Sequence, residues 1–507
     1  MSTVWSWILL FIVILLVANV ILSGFVVFFE RRNPASTWAW LLVLLFIPIF
    51  GFFAYMVFGR NSKREKMFRE KEKYDQEVYY KYLFQDVHSA EEITEQKAFI
   101  ENKGKLSHAE YVTDLAHLHL NSGNWITFNN KIEYFNNGKD KFEALVQDIR
   151  NAKEYIHLEY YIWRGDRLGS RLLDELTKKT QLLEQVTAEL REVKEKPAEG
   201  VEVRILYDGI GNSRLPKNFF DQFHAAGGYT AAFLPRFVVR LNYRNHRKLA
   251  IIDGKIGYIG GFNVGDEYLG IVNRYGPWRD THLRFQGDAV DQMQMRFIMD
   301  WNFTAKFGLI HLGEKYFPKK EQQIKGVRTQ IVSSGPDTQW KNIRNGYFKM
   351  INEAESNVFL TTPYFVPDDG IFEALRVAAL SGLDVRIIIP GNPDHFFVYW
   401  ASMSYLGELL EAGVRVYQYE KGFIHAKVLT IDGTVSSVGS ANMDIRSFDL
   451  NFEVNAFMYD AGITKILEDD FLKDLHSSVE ITKEWYRRRK WWFKVREAIA
   501  RLISPML

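Results

Sequence analysis

Two histidine–lysine pairs with the same spacing are the residues of this sequence best suited to chemistry. They belong to two segments that contain His246, Lys248 and Asp253, and His425, Lys427 and Asp432. In both segments Lys follows His by two positions, Asp follows Lys by five, and a Gly follows Asp by seven. An imidazole can attack an electrophile or carry a proton, and an ammonium group stabilises anionic oxygens.

The residues around each pair predict how it is positioned. An apolar run after His-x-Lys predicts a β-strand, in which His and Lys lie on the same face. Asp-Gly then predicts a tight hairpin turn, and small residues on the return strand precede Asn263 in one copy and Ser440 and Asn442 in the other. Two such hairpins facing each other would surround one point with imidazole, ammonium and carboxamide groups. This set predicts phosphoryl chemistry without a metal, in which one His attacks and the other carries the proton.

The two aspartates are open to two interpretations. Asp253 and Asp432 are candidates for the catalytic set, but an Asp in an Asp-Gly turn is equally suited to forming the turn or organising its hydrogen bonds. A single His or Lys in a strand is usually packed or solvated. The repetition of the complete polar set inside apolar strands favours a functional role for both histidines and both lysines.

The motifs lie in an internal repeat. Residues 152–162 resemble residues 354–364, and residues 200–206 resemble residues 382–388. The shift falls from 202 to 182 positions because the first copy carries a charged segment, Thr180–Glu199, which we interpret as a solvated helical insertion. β-branched strands alternate with helical segments in each copy. The sequence therefore predicts an α/β fold of two lobes, each a mixed β-sheet flanked by helices, related by a pseudo-twofold axis.

Composition excludes some functions. The chain of 507 residues contains no Cys, so disulfides, thiol catalysis and Cys-ligated zinc are excluded. Its formal net charge of +2 lacks the basic excess typical of nucleic-acid binders, and we predict no nucleic-acid partner.

The N-terminal end predicts a transmembrane helical hairpin. Residues 4–29 and 33–59 contain no charged residue, and each stretch exceeds the roughly 20 residues that cross a bilayer. A polar Glu-Arg-Arg-Asn-Pro turn lies between them. Seven basic residues follow between Arg60 and Lys73, which predicts a cytoplasmic body by the excess of positive charge on that side.

The C-terminal end predicts a helix that lies on a membrane surface. At 100° per residue, one face collects apolar residues and another collects basic ones. The apolar set is Trp485, Trp492, Val495, Ile499, Leu502 and Ile503. The alternative is a helix that packs on its own domain. The basic face suits anionic lipids.

The doubled His-x-Lys-x4-Asp pattern with downstream Gly and Asn resembles the phospholipase D superfamily over residues 124–460. Further features resemble the bacterial cardiolipin synthase family, which extends the resemblance to nearly the whole chain. They are the two N-terminal spans with their polar turn, residues 265–269, residues 278–282, residues 363–367 and the C-terminal segment 500–507. Gly261 departs from the Ser that the superfamily often has at this position.

The resemblance implies a reaction. One His attacks the phosphodiester of phosphatidylglycerol and forms a phosphohistidine, and the other protonates the departing glycerol and then deprotonates the hydroxyl of a second phosphatidylglycerol. By similarity, His246 is the nucleophile and His425 the acid and base. Glu453 and its first-copy counterpart Asp280 are expected to orient a histidine or to contact the substrate, although salt bridges to the nearby Arg446 and Arg279 are a competing interpretation. Ser440, Asn263 and Asn442 complete the expected substrate-binding set, and no cofactor or metal is implied.

The resemblance further implies a multi-pass protein of the bacterial cell membrane whose partners are phosphatidylglycerol and anionic membrane lipids. A hydrolytic phospholipase D or a phosphatidyltransferase to another alcohol would use the same residues. A nuclease and a membrane scaffold with a relic fold fit the motifs less well.

The expected domains are the hairpin (1–60), a charged juxtamembrane linker (61–120), two lobes (121–325 and 326–480) and a basic amphipathic C-terminal helix (481–507).

Overall fold

The computed structural model describes residues 2–28, 34–58, 62–85, 110–190, 201–233, 243–272, 276–319 and 326–503. The chain divides into two compact units, an N-terminal unit that ends at Phe68 and a larger unit that contains the described residues from Arg69 onward. The predicted polar turn between the spans and residues 86–109 of the predicted linker lie outside the described residues.

The N-terminal unit contains apolar helices α1 (Ser2–Phe28), α2 (Pro34–Phe46) and α3 (Pro48–Phe58). Within the described residues, one helical segment, Val4–Phe28, is long and apolar enough to cross a membrane by length and composition. The second predicted span is not one helix but two shorter ones. The break lies at Pro48, which has no N–H to donate to the preceding helical turn. The Asn19 carboxamide of α1 donates a hydrogen bond of 2.9 Å to the carbonyl of Pro48 and so ties the two segments together at the kink.

A charged helix, α4 (Ser62–Gln85), carries the chain into the larger unit, where the first lobe follows. Helix α5 (Glu110–Asn121) precedes the first sheet and packs with the second lobe, where Leu115 and Ala116 join the apolar core. The helices of the first lobe are α6 (Gly138–Asn151), α7 (Arg167–Leu190), α8 (Asp221–Ala225) and α9 (Ala289–Thr304). Its strands are β1 (Asn130–Phe135), β2 (Tyr155–Tyr160), β3 (Glu202–Asp208), β4 (Tyr229–Phe233), β5 (Arg244–Asn245), β6 (Lys248–Ile252), β7 (Ile256–Gly260), β8 (Trp278–Arg279) and β9 (His282–Gly287). Helix α7 extends into the charged insertion predicted at residues 180–199, of which residues 191–199 lie outside the described part.

The second lobe repeats this sequence of elements. Its helices are α10 (Asn342–Glu353), α11 (Asp369–Leu380), α12 (Phe396–Ala412), α13 (Ile445–Asp449) and α14 (Ala461–Leu475). Its strands are β10 (Thr329–Ser334), β11 (Asn357–Thr361), β12 (Phe365–Val366), β13 (Asp384–Pro390), β14 (Arg415–Tyr419), β15 (Phe423–Ile424), β16 (Val428–Ile431), β17 (Val435–Gly439), β18 (Met443–Asp444), β19 (Asn451–Tyr459) and β20 (Ser478–Ile481).

The two main sheets have the same strand order. The first runs β1-β9-β7-β6-β2-β3-β4, and the second runs β10-β19-β17-β16-β11-β13-β14, with β20 added at its end. In each sheet three neighbouring strands are parallel, β2-β3-β4 in the first and β11-β13-β14 in the second, and the motif hairpin joins them antiparallel. The α/β class with mixed sheets is confirmed. The motif hairpins, β6–β7 and β16–β17, occupy the middle of their sheets, where apolar residues surround them.

The central strands are buried along their whole length. Every residue of β2, β6 and β19 is buried, although β2 and β19 also contain polar residues, among them Glu159 and Glu453. Helices pack on the sheets through apolar stripes, as in α11, where Ile371, Leu375 and Ala378 recur at helical spacing and are buried. A rigid sheet centre of this kind holds polar side chains at its strand ends in defined positions.

Two short strand pairs join the lobes. Strand β5, just before His246, pairs in parallel with the start of β19 in the second lobe. Strand β15, just before His425, pairs in parallel with β8 of the first lobe. The backbone amides of the two histidines continue these pairs, because His246 donates to the carbonyl of Phe452 at 2.9 Å and His425 to that of Arg279 at 2.7 Å. Each motif histidine therefore enters the site held by the other lobe.

Helices α15 (Lys483–Arg487) and α16 (Trp491–Ile503) end the described chain. The predicted C-terminal helix is thus interrupted at residues 488–490. One side of α16 packs on α12, with the rings of Phe493 and Trp400 stacked at 5.2 Å and Ala500 buried.

Candidate active site

The two motif histidines lie at the interface of the lobes, and each contacts a carboxylate of the opposite lobe. His246 Nδ1 lies 3.0 Å from both carboxylate oxygens of Glu453, which comes from β19 of the second lobe. His425 Nδ1 lies 2.7 Å from Oδ2 of Asp280, which follows β8 of the first lobe. A carboxylate on Nδ1 orients the imidazole and leaves Nε2 as the nitrogen available to a substrate.

The environments of the two carboxylates differ. Glu453 also accepts hydrogen bonds from the Ser440 hydroxyl at 2.5 Å, the Ser447 hydroxyl at 3.0 Å and the Asn451 carboxamide at 3.1 Å. Asp280 accepts a backbone N–H from Thr281 at 2.7 Å in addition to its contact with His425. The negative charge of Glu453 is therefore shared among more donors than that of Asp280.

The difference between the two carboxylates explains why position 261 is Gly. A Cβ atom at position 261 would overlap Oδ1 of Asp280, whereas the related position in the second copy accommodates Ser440 as a hydrogen-bond donor to Glu453. The Asp280 carboxylate occupies the space that a side chain at position 261 would need, and Gly leaves it free. The departure from the superfamily pattern thus has a steric cause.

The two lysines follow the histidines by two residues along each motif strand and are fully buried. Lys248 Nζ donates to the carbonyl of His246 at 2.5 Å, and Lys427 Nζ donates to the carbonyl of His425. Burial lowers the pKa of Lys427 to about 8, although the negative charges of Asp280 and Glu453 favour its ammonium form. Burial also lowers the pKa of Lys248 well below its usual value, and the positive charge of Lys427 lowers it further. The two ammonium groups are close enough to repel each other, as expected of a site built for an anion.

Burial lowers the pKa of His246 to about 4 and that of His425 to about 4, with Glu453 and Asp280 respectively opposing the shift. At neutral pH both imidazoles are therefore neutral before an anionic substrate enters. A neutral imidazole is a nucleophile and a base, and a bound phosphodiester anion would favour the protonated form that acts as an acid.

The two motif aspartates lie in the hairpin turns, which favours the turn-organising of the two interpretations. Asp253 and Asp432 lie in the hairpin turns at the far ends of β6 and β16, both with positive φ (52° and 53°). Asp253 accepts three backbone N–H groups from residues 153–155, and Asp432 accepts three from residues 355–357 at 2.8–3.0 Å. Each aspartate thus pins its hairpin to the start of the neighbouring strand, which is the turn-organising interpretation.

The two asparagines are buried but are used differently. Asn263 accepts from the backbone N–H of Ile162 at 3.2 Å and donates to the Tyr268 hydroxyl at 3.1 Å. The carboxamide oxygen of Asn442 is buried and has no hydrogen-bond partner among the described residues. Asn442 is therefore better placed than Asn263 to contact a ligand, while Ser440 acts on Glu453.

Among the described residues, Arg279 does not form the competing salt bridge with the carboxylate of Asp280. Arg279 pairs with Asp470 and Asp474 and donates to the backbone carbonyl, not the carboxylate, of Asp280. Glu453 is engaged by His246 and its three further donors.

Sequence reasoning missed Arg247, which lies on the opposite side of the strand. Arg247 donates to the carbonyl of Glu453 at 3.2 Å and pairs with Asp300 at 2.5 Å. The feature of the sequence that could have identified Arg247 is its position between the motif His and Lys in a buried strand.

Aromatic rings flank both histidines. The ring of Tyr161 lies 4.9 Å from that of His246, and the ring of Trp278 lies 5.3 Å from that of His425. Among the described residues, no group of three or more His, Asp or Glu side chains is placed to hold a metal ion. The site can thus present two imidazoles and two ammonium groups to one phosphodiester.

Comparison with known proteins finds relatives that cover nearly the whole chain. Residues 347–475 match the family model described as "Cardiolipin synthase, PLD-like domain", and residues 7–60 match "Phospholipase_D-nuclease N-terminal". A cardiolipin synthase of Listeria monocytogenes serotype 4a (strain HCC23) is 48% identical over 503 residues, with 98% of each chain covered. The major cardiolipin synthase ClsA of Bacillus subtilis (strain 168) is 45% identical over 499 residues, covering 97% of this chain and 98% of the relative.

A solved structure supports the fold. The crystal structure of phosphatidylserine synthase from Haemophilus influenzae Rd KW20 superimposes with a TM-score of 0.57 at 13% sequence identity. The match covers 78% of this chain and 100% of that one.

Proposed function

This chain belongs to the cardiolipin synthase family of the phospholipase D superfamily, and on that basis we propose how its residues carry out the reaction. It is a phosphatidyltransferase that forms cardiolipin. The observation that supports its mechanism best is the pair of cross-lobe contacts, His246 with Glu453 and His425 with Asp280. Two oriented imidazoles at one anion-binding point provide both a nucleophile and a proton carrier.

In the first step, His246 Nε2 attacks the phosphorus of one phosphatidylglycerol. The N–P bond forms, the bond from phosphorus to the glycerol headgroup oxygen breaks, and His425 gives its proton to the departing glycerol. In the second step, His425 takes the proton from a hydroxyl of a second phosphatidylglycerol. That oxygen bonds to phosphorus, the N–P bond breaks, and cardiolipin and the free enzyme result. Lys248 and Lys427 stabilise the phosphoryl oxygens in both steps.

The carboxylates support this division of roles. Glu453 shares its charge with three donors besides His246, so it stabilises an imidazolium there less strongly. Asp280 approaches His425 more closely and has fewer competing donors. His425 is therefore the better proton carrier, and His246 the better nucleophile.

The test is to offer the purified protein phosphatidylglycerol in bilayer vesicles and to identify the products by mass spectrometry. Cardiolipin and free glycerol are expected in equal amounts, with phosphatidic acid as a minor product. Phosphatidic acid as the main product would instead indicate a phospholipase D hydrolase. Transfer to an added alcohol in preference to phosphatidylglycerol would indicate a phosphatidyltransferase of different acceptor specificity.

The charge of Lys427 predicts an alkaline limit to activity. Its pKa of about 8, lowered by burial, means that the ammonium form is present below pH 8 and is lost above it. We expect kcat/KM for phosphatidylglycerol to fall about tenfold per pH unit above this point, because kcat/KM reports ionisations of the free enzyme. Lys427→Arg keeps its charge to higher pH. The pH above which kcat/KM falls should therefore be higher in this variant, even if its rate is lower at every pH. An unchanged fall of kcat/KM in the variant would contradict the assignment of this ionisation to Lys427.

We also propose that the two lobes are related by a pseudo-twofold axis through the site. The equal strand order of the sheets and the reciprocal pairs, β5 with β19 and β15 with β8, support this relation. The lobes would correspond to residues 121–325 and 326–480, between the juxtamembrane linker and the C-terminal helices.

We propose that helix α1 and the kinked pair α2–α3 both cross the bacterial cell membrane, with the body in the cytoplasm. Seven basic residues between Arg60 and Lys73 support this orientation. The chain has no Cys, so a single Cys introduced at the exposed Lys465 of α14 provides a unique label. In intact cells it should resist a membrane-impermeant maleimide and react after permeabilisation. Labelling before permeabilisation would place the body outside.

Helix α16 is proposed to rest on anionic lipid. Its side towards α12 is packed, while the predicted apolar residues Val495, Ile499 and Leu502 are exposed at 43%, 53% and 82%. These residues together with the exposed Trp491 and Trp492 form an apolar surface beside basic side chains, which is the pattern of an interfacial helix.

An environment-sensitive dye on Ile499→Cys is expected to report this contact. In vesicles containing brominated phosphatidylglycerol, its emission should shift to the blue and be quenched, because the residue faces the acyl boundary. The same dye on Lys465→Cys is the matched control and should show neither effect. Equal emission from both positions would show that α16 faces water.

A further inference from the structure

A cluster of buried charged side chains lies behind the candidate site, and the reaction at phosphorus does not use it. It begins at Arg247, which stands between His246 and Lys248 and therefore points to the other face of the motif segment. There its guanidinium group contacts the carboxylate of Asp300 at 2.5 Å. Neither side chain has any exposed surface. A buried ion pair is thus attached to the segment that carries the nucleophile.

Helix α4 contributes a lysine to this cluster. Lys71 is 2% exposed, and its ammonium group contacts three carboxylates, those of Asp75 at 2.6 Å, Asp337 at 2.7 Å and Asp300 at 3.1 Å. Burial and the charge of Arg296 act to lower the pKa of Lys71, but the three carboxylates outweigh them and raise it above its usual value. Lys71 is therefore a buried cation, in the helix that follows the apolar segments in the chain.

The charges of the cluster are paired with one another. Arg296 completes it by donating to Asp75 at 2.7 Å and to the two carboxylate oxygens of Asp300 at 2.8 and 3.1 Å. Burial raises the pKa of the neighbouring Glu159 to about 8, and the charge of Asp300 raises it further, so Glu159 adds little negative charge at neutral pH. The members are three cations and three carboxylates, all buried: Lys71, Arg247, Arg296, Asp75, Asp300 and Asp337. Removing one cation would leave a buried carboxylate uncompensated.

The cluster reaches the candidate site through Arg247. Besides its pair with Asp300, Arg247 donates from Nε to the backbone carbonyl of Glu453 at 3.2 Å. The carboxylate of Glu453 is the group that contacts His246 at 3.0 Å. Lys71 is therefore joined by successive contacts, through Asp300 and Arg247, to the partner of the nucleophile. Because Arg247 belongs to the first lobe and Glu453 to the second, its two contacts also fix the motif segment relative to β19.

The other motif has no such link. The residue between His425 and Lys427 is Ala426, which is buried and has no polar group in its side chain. A hairpin of the same kind therefore forms without an arginine at this position. This asymmetry indicates that the cluster serves the His246 side of the site and is not a requirement of the hairpin itself.

We propose that Lys71 is a positioning residue for the pair formed by His246 and Glu453. Its charge holds Asp300 in place, Asp300 holds Arg247, and Arg247 fixes the backbone of Glu453 against the motif segment. The inference rests on the proposed function, in which His246 attacks phosphorus. It adds a residue of helix α4, which precedes both lobes, to those that determine the rate of the first step.

The test isolates the first step with a phosphatidyl ester of 4-nitrophenol, whose leaving group needs no proton. The rate constant of the nitrophenolate burst then reports the attack by His246, and the burst amplitude reports the fraction of folded sites. In Lys71→Met we expect the rate constant to fall at least about tenfold, because small displacements of reacting groups are costly. The later breakdown of the phosphohistidine, which depends on His425, should change less. Lys71→Arg keeps the charge and should recover most of the rate constant.

Arg386→Met is the matched control. Arg386 forms a partly buried pair with Asp384 at 2.5 Å, and Asp384 lies in register with Asn357, at the end of the sheet that carries the Asp432 turn. This variant should unfold at a lower temperature and keep the burst rate constant of the wild type. A burst at the wild-type rate constant in Lys71→Met would overturn the inference. A loss of amplitude alone would do the same, because it would indicate a purely structural role.

If Lys71→Met does not fold, its combination with Asp337→Asn decides, because the two changes remove one cation and one anion together. We expect a low burst rate constant in this double variant as well, since the contact of Lys71 with Asp300 is still missing. A wild-type rate constant there would overturn the inference. A wild-type protein that gives no burst at all would instead refute the proposed function.

Discussion

Replacing His246 or His425 with alanine is expected to reduce cardiolipin formation at least ~10⁴-fold, because each step needs a nucleophile and a proton carrier acting together. The double variant should be little worse than either single one, since residues that act as a unit give non-additive losses. His476→Ala, on the surface of the same unit, is the matched control and should keep its activity. Near-normal turnover in either site variant would exclude a shared site.

The roles of the two histidines can be separated with a donor whose leaving group needs no proton, such as a phosphatidyl ester of 4-nitrophenol. His425→Asn should then release a burst of nitrophenolate and accumulate a phosphohistidine, because the nucleophile is intact and the second step lacks its base. His246→Asn should give no burst. Mass spectrometry of the trapped protein should locate the phosphoryl group on His246. A burst in His246→Asn and none in His425→Asn would reverse the assignment.

Replacing Asp280 or Glu453 with its uncharged amide is expected to produce the second largest loss of activity. Asp280→Asn and Glu453→Gln should each reduce kcat by about 10²–10⁴, because a carboxamide at Nδ1 no longer stabilises the imidazolium and can favour the wrong tautomer. The contacts that predict this are His425 with Asp280 at 2.7 Å and His246 with Glu453 at 3.0 Å.

The nitrophenyl donor distinguishes the two variants. In Asp280→Asn the impaired histidine is His425, so the burst should persist and turnover should stop afterwards. In Glu453→Gln the impaired histidine is His246, so the burst itself should slow. The opposite pattern would mean that each carboxylate serves the histidine of its own lobe.

Stability provides a further difference between the two carboxylates. Glu453 accepts hydrogen bonds from Ser440, Ser447 and Asn451. In a Gln at this position the amide nitrogen cannot accept, so some of these buried donors would lack an acceptor. Unsatisfied buried groups cost about 1–3 kcal/mol each, and thermal unfolding of Glu453→Gln should shift to lower temperature. Asp280→Asn should shift less, because fewer donors depend on that carboxylate. Equal shifts would indicate that the donors around Glu453 contribute little.

Much of the architecture could be predicted from local pattern. The β-branched runs within the repeated segments 152–162 and 354–364 form β2 and β11, and a helical segment that follows in the second copy is α11. These elements follow from β-branched runs and helical periodicity, which depend on neighbouring residues only. Pro48 also marks the break of the second apolar stretch, because a Pro inside a helical run has no N–H to donate to the preceding turn.

The sequence by itself determined which groups could do chemistry. A polar set repeated at identical spacing within apolar strands predicted two histidines and two lysines at one point, and the alternation of side chains along a strand placed each pair on one face. The turn-forming role of Asp253 and Asp432 was one of two open interpretations, and it depends on amides about 100 and 76 residues away in the chain.

Only the tertiary structure decided which carboxylate serves which histidine. Glu453 and Asp280 each lie in the same copy as one histidine and contact the other, because β5 pairs with β19 and β15 with β8 across the interface. The same packing places Arg247 against the carbonyl of Glu453. Spacing along the chain carries no information about such partners, because contacts between lobes depend on how two completed surfaces fit and not on the order of residues within either one.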